Sequence, residues 1–351
     1  MIKSLHLGSL QADRGERRKD VSPSAYGIYY RIGGYLVQPA NIQQTHIDIS
    51  VARLSSYRTM FHGANDHELY GIYCWNEALS ATLFRLISIT EVVMRNRFHT
   101  ALSLHLHNHQ SVGRNDSNDW YNHVNLLSKS ADKIRSETHF YQKRRKAWLP
   151  KRHQPSANDV VSRMTFGFWP KLLDASLPWG QLLPQIVPGH RHKTAAHWSV
   201  RRNQDALYAR MDLVNKVRNR IAHFEPIWKQ GDLYEERRWR QGSPNPSVQF
   251  SAPTTPVEAI KRLKLIHDRT TELLKWLSPD RHKDYMDSYV ESHFNWLCSQ
   301  EGLNSYMTFK PGITMPISKF KRDLNGLTKK KVMVSVNRKD NPVGTYYPTL
   351  R

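Results

Sequence analysis

The stretch NQDALYARMDLVNKVRNRIAHF, residues 203–224, decides how the chain is read. Leu207, Met211, Val214 and Ile221 recur on or near one stripe and no Gly or Pro interrupts them, so the spacing predicts an amphipathic helix with one face on a core. Pro226, which has no amide to donate, closes it. After a polar, Pro-rich link over 242–256, residues 257–277 repeat the pattern through Ile260, Leu263, Ile266, Leu273, Leu274 and Leu277, and Pro279 ends that second helix. Upstream, Leu54, Tyr57, Met60 and Phe61 predict a helix from Ser50. Residues 63–66 break it, and Leu69, Tyr73, Leu79, Leu83, Leu86 and Val93 predict a longer one. The expected fold is therefore mainly α, a bundle of helices.

The remaining segments differ in texture. Residues 108–125 are rich in Asn, Asp, Ser and His, which favour loops and helix caps, and a basic stretch follows over 134–153; together 108–158 read as a polar and basic insertion. Residues 1–48 form an N-terminal arm whose aromatic run, Tyr26 to Tyr35, fits a strand or an arm packed on the body. The helical domain is expected over 49–280 and a basic extension over 281–351. In that extension KKVMVSV (330–336) alternates polar with apolar residues, a turn signal follows at 339–344 and a second run ends at Tyr347, so a small C-terminal β-hairpin is expected.

Charge bounds the function. In 351 residues, 52 Lys and Arg stand against 30 Asp and Glu, a net +22 and a pI near 10.0, which points to a polyanionic partner, with nucleic acid first. A membrane-spanning role is not expected. The most apolar segment, residues 81–94, is broken by Arg85 and Glu91 and falls short of the roughly 20 residues a span needs. The N-terminus lacks the apolar run of a secretory signal, so a cytoplasmic location is expected. Cys74 and Cys298 are too few for a disulfide framework and too far apart for a zinc knuckle.

The end of the 203–224 helix carries the candidate chemistry. Arg218-Asn219-Arg220-Ile221-Ala222-His223 places a permanent cation five positions before an imidazole. With 52 basic residues and 18 His in the chain, that spacing arises by chance about two or three times, so it decides nothing alone. At about 100° per residue, Asn219 and His223 share a helical face, whereas Arg218 and His223 are rotated roughly 140° apart and flank a groove, which suits a site completed by a second copy. Guanidinium, amide and imidazole are the groups that cleave RNA without metal. His moves the proton of the 2′-hydroxyl or of the leaving 5′-oxygen, and Arg stabilises the charge on the scissile phosphate. The alternative from the same residues is that Arg218 pairs with a carboxylate and His223 caps the last carbonyls.

RNRIAHFEP (218–226), followed by Ile227 and Trp228, resembles the helix-ending motif of Abi-like proteins, the abortive-infection family of AbiD/AbiF type within the HEPN ribonuclease superfamily. LYGIYCWNEALS (69–80) resembles the family's first helix through Trp75 and Asn76. EVVMRN (91–96) resembles its Glu-x-x-x-Arg-Asn element, and FGFWPKLL (166–173) its Gly-aromatic-Trp segment. ISVARLSSYRTMF, from Ile49, is loosely similar to its opening pattern, so the resemblance covers roughly 49–280. It implies a HEPN-like helical bundle, a homodimer with facing Rx4H motifs, and metal-independent RNA cleavage that leaves a cyclic phosphate and a 5′-hydroxyl. By resemblance Arg218, Asn219 and His223 take the catalytic positions. Glu91, Arg95 and Asn96 either line the same groove or form a pair that orients two helices.

Three clusters interleave cations with aromatics, as phosphate contact beside base stacking requires: Lys143, Arg144, Arg145 and Lys146 with Tyr141 and Trp148; 190–202, including Arg201 and Arg202, with Trp198; and 237–240 with Trp239. With Arg220 these are the candidate RNA-binding residues; a solvated charged face is the other reading. The Lys319 to Lys331 run either binds likewise or blunts the edge of the hairpin. His105, His107 and His109 lack partners at ligand spacing, so no metal or other cofactor is expected. The function expected is an endoribonuclease toxin of an abortive-infection or toxin-antitoxin system, with RNA as substrate and an RNA or protein antitoxin. The alternative is a non-catalytic RNA-binding or interaction module on the same fold.

Overall fold

The computed structural model describes residues 38–111, 113–309, 313–327, 329, 334–339 and 341–346. The aromatic run Tyr26 to Tyr35 lies outside the described residues. Three N-terminal helices, α1 (Ile42–Ile49), α2 (Val51–Met60) and α3 (Asp66–Gln110), lead into the body. Next come α4 (Ser128–Thr138), the hairpin strands β1 (His139–Gln142) and β2 (Ala147–Pro150), and the short helices α5 (Ala157–Ser162), α6 (Phe168–Leu172), α7 (Trp179–Ile186) and α8 (Ala195–Ser199). Helix α9 (Arg201–Ala222) and helix α10 (Pro256–Leu277) are separated by a loop carrying β3 (Leu233–Tyr234) and β4 (Val248–Phe250). Three further helices follow: α11 (Pro279–Met286), α12 (Tyr289–Leu297) and α13 (Gln300–Thr308). The last elements are β5 (Ile313–Pro316), α14 (Ile317–Leu327), β6 (Val334–Arg338) and β7 (Asn341–Tyr346). The protein is mainly α with small β elements.

Helix α3 is the axis of the body. Its 45 residues span about 70 Å at 1.5 Å per residue. It starts at a capping box, in which Asn65 Oδ1 accepts from the Glu68 amide and the Glu68 carboxylate accepts from the Asn65 amide. The spacing predicts this helix only to about residue 93. It runs on because Phe98, Leu102 and Leu106 continue the buried stripe of Leu79, Leu83, Leu86 and Met94, and it ends where Ser111 takes a left-handed conformation (φ 54°). Helices α7, α10, α12 and α13 pack along it. Gly71 permits the closest approach: a Cβ there would lie 2.2 Å from the Tyr306 carbonyl oxygen of α13.

One hydrophobic core runs from Leu54 through α3, α9 and α10 to Tyr306. Cys74 and Cys298 are free and buried within it, and burial pushes their thiols up to about 11 and about 12. A second cluster, Met315, Leu327, Val334 and Val336, forms under α14. The expected C-terminal hairpin is present as β6 antiparallel to β7; residues 330–333 and Tyr347 lie outside the described residues. Strand β5 adds to β6 in parallel, which makes a three-stranded sheet of order β5-β6-β7. Because parallel neighbours need a crossover, 317–327 is a helix, and Lys319 and Lys321 ride on it.

Candidate active site and nucleic-acid interface

Helix α9 is fixed on the core by Leu207, Met211, Val214 and Val217, all essentially inaccessible, while Ile221 is half-buried. It begins two residues before the predicted start and ends at Ala222, with His223 as the capping residue. The His223 amide donates to the Asn219 carbonyl (3.0 Å), and the chain reverses through Phe224 in the left-handed region (φ 54°), so the Glu225 amide reaches back to the Arg220 carbonyl (2.8 Å). Arg218, Asn219 and His223 thus occupy the last turn and the cap of one helix.

The segment beyond the cap is anchored from the N-terminal helices. The Ile227 amide donates to Asn76 Oδ1 of α3 (2.9 Å), and Arg53 of α2 donates to the Phe224 carbonyl. Trp228 is buried edge-on against Tyr57 (5.1 Å) and Phe61 (5.5 Å). Trp75 donates to the Leu297 carbonyl (2.7 Å) and so ties the same stretch of α3 to α12. Asn76, Arg53 and the Tyr57–Phe61 pocket for Trp228 therefore set the exit path of the chain beyond His223, while Trp75 fixes the stretch of α3 that carries Asn76.

Two clefts meet at Asn219. One of about 340 Å³ lies between α4, the turn at 165–168 and α9, and includes Arg218. The other, about 600 Å³, lies between α9 and the loop that precedes α10, and includes Arg220 and His223. Asn219 borders both, so Arg218 and His223 of one chain open on different sides of the helix. Arg218 stands 3.9 Å from the Glu91 carboxylate, and its Nε has no hydrogen-bond partner among the described residues. Burial pushes the Glu91 carboxyl up from the usual range, opposed by Arg218, Arg95 and the Phe166 backbone. Arg95 donates to the Ser162 carbonyl (3.1 Å). Glu91 is thereby placed at Arg218 with Arg95 also in charge contact with it, whereas Asn96 is exposed on α3 and no hydrogen bond joins it to them among the described residues. Gly167 packs on α9 one turn before Asn219: a Cβ there would meet the Asn215 amide nitrogen at 3.2 Å.

The family model of Abi-like proteins matches residues 27–229, from the N-terminal stretch through α9 to the residue after Trp228. The chain belongs to the Abi-like family. No curated protein and no solved structure matches it. The match begins before residue 49, where the resemblance of the motifs begins, and stops short of α10.

The basic surface of this Abi-like protein separates into free and engaged cations. Lys143, Arg144, Arg145 and Lys146 form the exposed tip of the β1–β2 hairpin, and none pairs with a carboxylate among the described residues. Tyr141 and Trp148 face each other across its strands, rings 5.6 Å apart and both about half exposed. Arg201 is committed elsewhere: it donates to Asp174 (3.0 Å) and the Leu173 carbonyl (2.9 Å) and lies 3.7 Å from Asp205. Arg238 joins Asp174, Arg240 joins both Asp174 and Asp205, and Arg237 pairs with Glu235 (2.8 Å). Arg202 is exposed without an ion pair among the described residues, while Arg220 is held by Glu225 (3.1 Å).

The histidine-rich segments are aromatic clusters. His105 lies 4.4 Å from His109 on α3, and His192 stacks on His197 at 4.1 Å. Among the described residues no group of three or more His, Cys, Asp or Glu is arranged to hold a metal, and no helix is long and apolar enough to cross a membrane. Sequence reasoning missed Lys129, Lys133 and Lys171, which line the Arg218 cleft. The one signal for them is that Lys171 lies inside the Gly-aromatic-Trp segment FGFWPKLL; Lys129 and Lys133 sit in the stretch read as an insertion.

Proposed function

We propose that this Abi-like protein is a metal-independent endoribonuclease of the HEPN type, acting in the cytoplasm as the toxin of an abortive-infection or toxin-antitoxin system restrained by an RNA or protein antitoxin. The observation that carries the reading is the divergence of Arg218 and His223 about Asn219, which leaves the site of one chain incomplete and calls for a second copy. The surface beside His223 suits such a copy. Phe224 is 76% exposed, and with Phe84, Ala81, Ala78, Tyr73 and Ile221 it borders an apolar groove of about 300 Å³. In the homodimer Arg218 of one copy works with His223 of the other.

The chemistry is transesterification. The 2′-oxygen attacks the adjacent phosphorus as its proton passes to an imidazole, the bond to the 5′-oxygen breaks, and that oxygen takes a proton. The products are a 2′,3′-cyclic phosphate and a 5′-hydroxyl. Arg218 stabilises the charge on the phosphoryl oxygens and Asn219 donates to the same group. His223→Ala is expected to lower cleavage by about 10²–10⁴-fold, and Arg218→Ala by about 10²–10³-fold. Both variants should remain folded and dimeric, and wild-type cleavage should persist in a chelator. Full activity in either variant contradicts the assignment. The second reading, a non-catalytic RNA-binding module, is favoured by the Glu91–Arg218 pair, which a purely structural arginine also makes. It predicts unchanged RNA affinity in both variants and no cleavage by the wild type.

A further inference from the structure

Most cations near the end of α9 are neutralised by carboxylates, and one group is not. Lys129 and Lys133 of α4 and Lys171 of α6 line the same cleft as Arg218, and no Asp or Glu is among its lining residues. None of the three lysines makes an ion pair among the described residues, in contrast to Arg201, Arg238 and Arg240, which all pair with Asp174. Three lysines without an ion pair, set beside an Arg218 that Glu91 faces at 3.9 Å, repel one another on a concave surface, and the cost is offset when an anion binds between them. Asn215 and Asn219 of α9 line the same wall and carry amide donors suited to phosphate oxygens. The floor is kept low by Gly167, where a Cβ would press on Asn215.

We propose that this cleft is a phosphate-binding subsite that grips the RNA backbone next to the scissile phosphate, through Lys129, Lys133 and Lys171 beside Arg218; this rests on the reading of RNA as the substrate. Two of the three lysines belong to the 108–158 segment, so that segment serves as part of the substrate-binding wall. The cleft takes a phosphodiester rather than a base, because its accessible groups are cations and amides and its aromatic members, Phe166 and Phe168, are buried.

The test is fluorescence anisotropy of the full chain with a short labelled single-stranded RNA, 2′-O-methylated throughout so that it cannot be cleaved, titrated at several salt concentrations. Lys129→Gln/Lys133→Gln/Lys171→Gln should bind at least about tenfold more weakly at low salt, with the slope of log affinity against log salt smaller by about 0.7 for each phosphate released. A charge-matched variant on α10 and α11, Lys261→Gln/Lys264→Gln/Lys283→Gln, should keep the wild-type slope. Circular dichroism verifies folding, and the three single variants replace the triple if it fails to fold. An unchanged affinity and slope in the cleft variants, with wild-type RNA binding intact, overturns the subsite and leaves the RNA reading standing. Loss of binding in those variants, with no cleavage of natural RNA by the wild type, upholds phosphate binding by the cleft but overturns the nuclease and, with it, the placement of the cleft beside a scissile phosphate. Absence of any RNA binding by the wild type overturns both.

Discussion

Phe224 holds a backbone conformation that glycine adopts freely and other L-residues adopt at a cost of about 1–2 kcal/mol, yet its side chain is mostly exposed. A strained, exposed aromatic next to His223 is explained if the ring is used against a second copy. Phe224→Gly is therefore expected to raise the stability of the isolated chain by about 1 kcal/mol in urea unfolding, and to weaken self-association in sedimentation velocity. A variant that associates as tightly as wild type shows that the ring is not in the interface. His99 supplies a prediction of pH dependence. It is buried, its Nδ1 accepts from Trp120 (2.9 Å), and its Nε2 faces Ser117 and Asn158 (both 3.1 Å), so the neutral tautomer is built into the junction of α3, the 113–127 segment and α5. Burial pushes its pKa below the usual 6.5. The unfolded chain then takes up this proton before the folded one does, and its contribution to stability is lost as pH falls below about 6.5 towards the depressed value. His99→Asn, which keeps an acceptor for Trp120, should flatten the acid side of the stability profile measured by urea unfolding across that range. A profile identical to wild type contradicts the role of His99.

At the scale of elements, the end of α9 is positioned from α3. Asn76 is buried and satisfies the Ile227 amide; Asn76→Ala leaves that amide without a partner, at a cost of about 1–3 kcal/mol. Because the amide it holds, that of Ile227, lies four residues after His223, the variant should also lower the kcat of RNA cleavage and leave KM near wild type in steady-state assays. An equal loss of stability with full kcat would make Asn76 structural alone. The sequence made α2, α3, α9 and α10 legible because each carries an apolar stripe at helical spacing bounded by Gly, Asn or Pro. It also placed Arg218, Asn219 and His223 on one helix end and described their angular divergence. The ion pairs were not legible: Arg201 and Arg240 look free in a basic run, but Asp174, 27 and 66 residues away, is brought to them by packing. Nor was the β5–α14–β6 crossover, since the run from Lys319 reads as charge until Ile317, Phe320 and Leu327 are seen against the sheet. Lys129, Lys133 and Lys171 are ordinary surface lysines until the fold places them around Arg218.

Over the whole molecule, cations held by Asp174, Asp205, Glu236 and Glu272 stand apart from cations left for a partner at the β1–β2 tip and in the Arg218 cleft, and the latter contribute to the net charge of +22. Removing the free hairpin cations, as in Lys143→Gln/Arg144→Gln/Arg145→Gln/Lys146→Gln, should weaken RNA binding and reduce its salt dependence, whereas Lys261→Gln in an exposed part of α10 should change neither in the same anisotropy titration. The central claim concerns the assembly: one active site takes Arg218 from one copy and His223 from the other. It is tested most directly by mixing two inactive proteins, Arg218→Ala and His223→Ala, and measuring RNA cleavage after subunit exchange. Random pairing makes half of the dimers mixed, and each mixed dimer regains one intact site of two, so the mixture should recover about a quarter of wild-type activity. A mixture as inactive as its components, with exchange verified by mass, would contradict it.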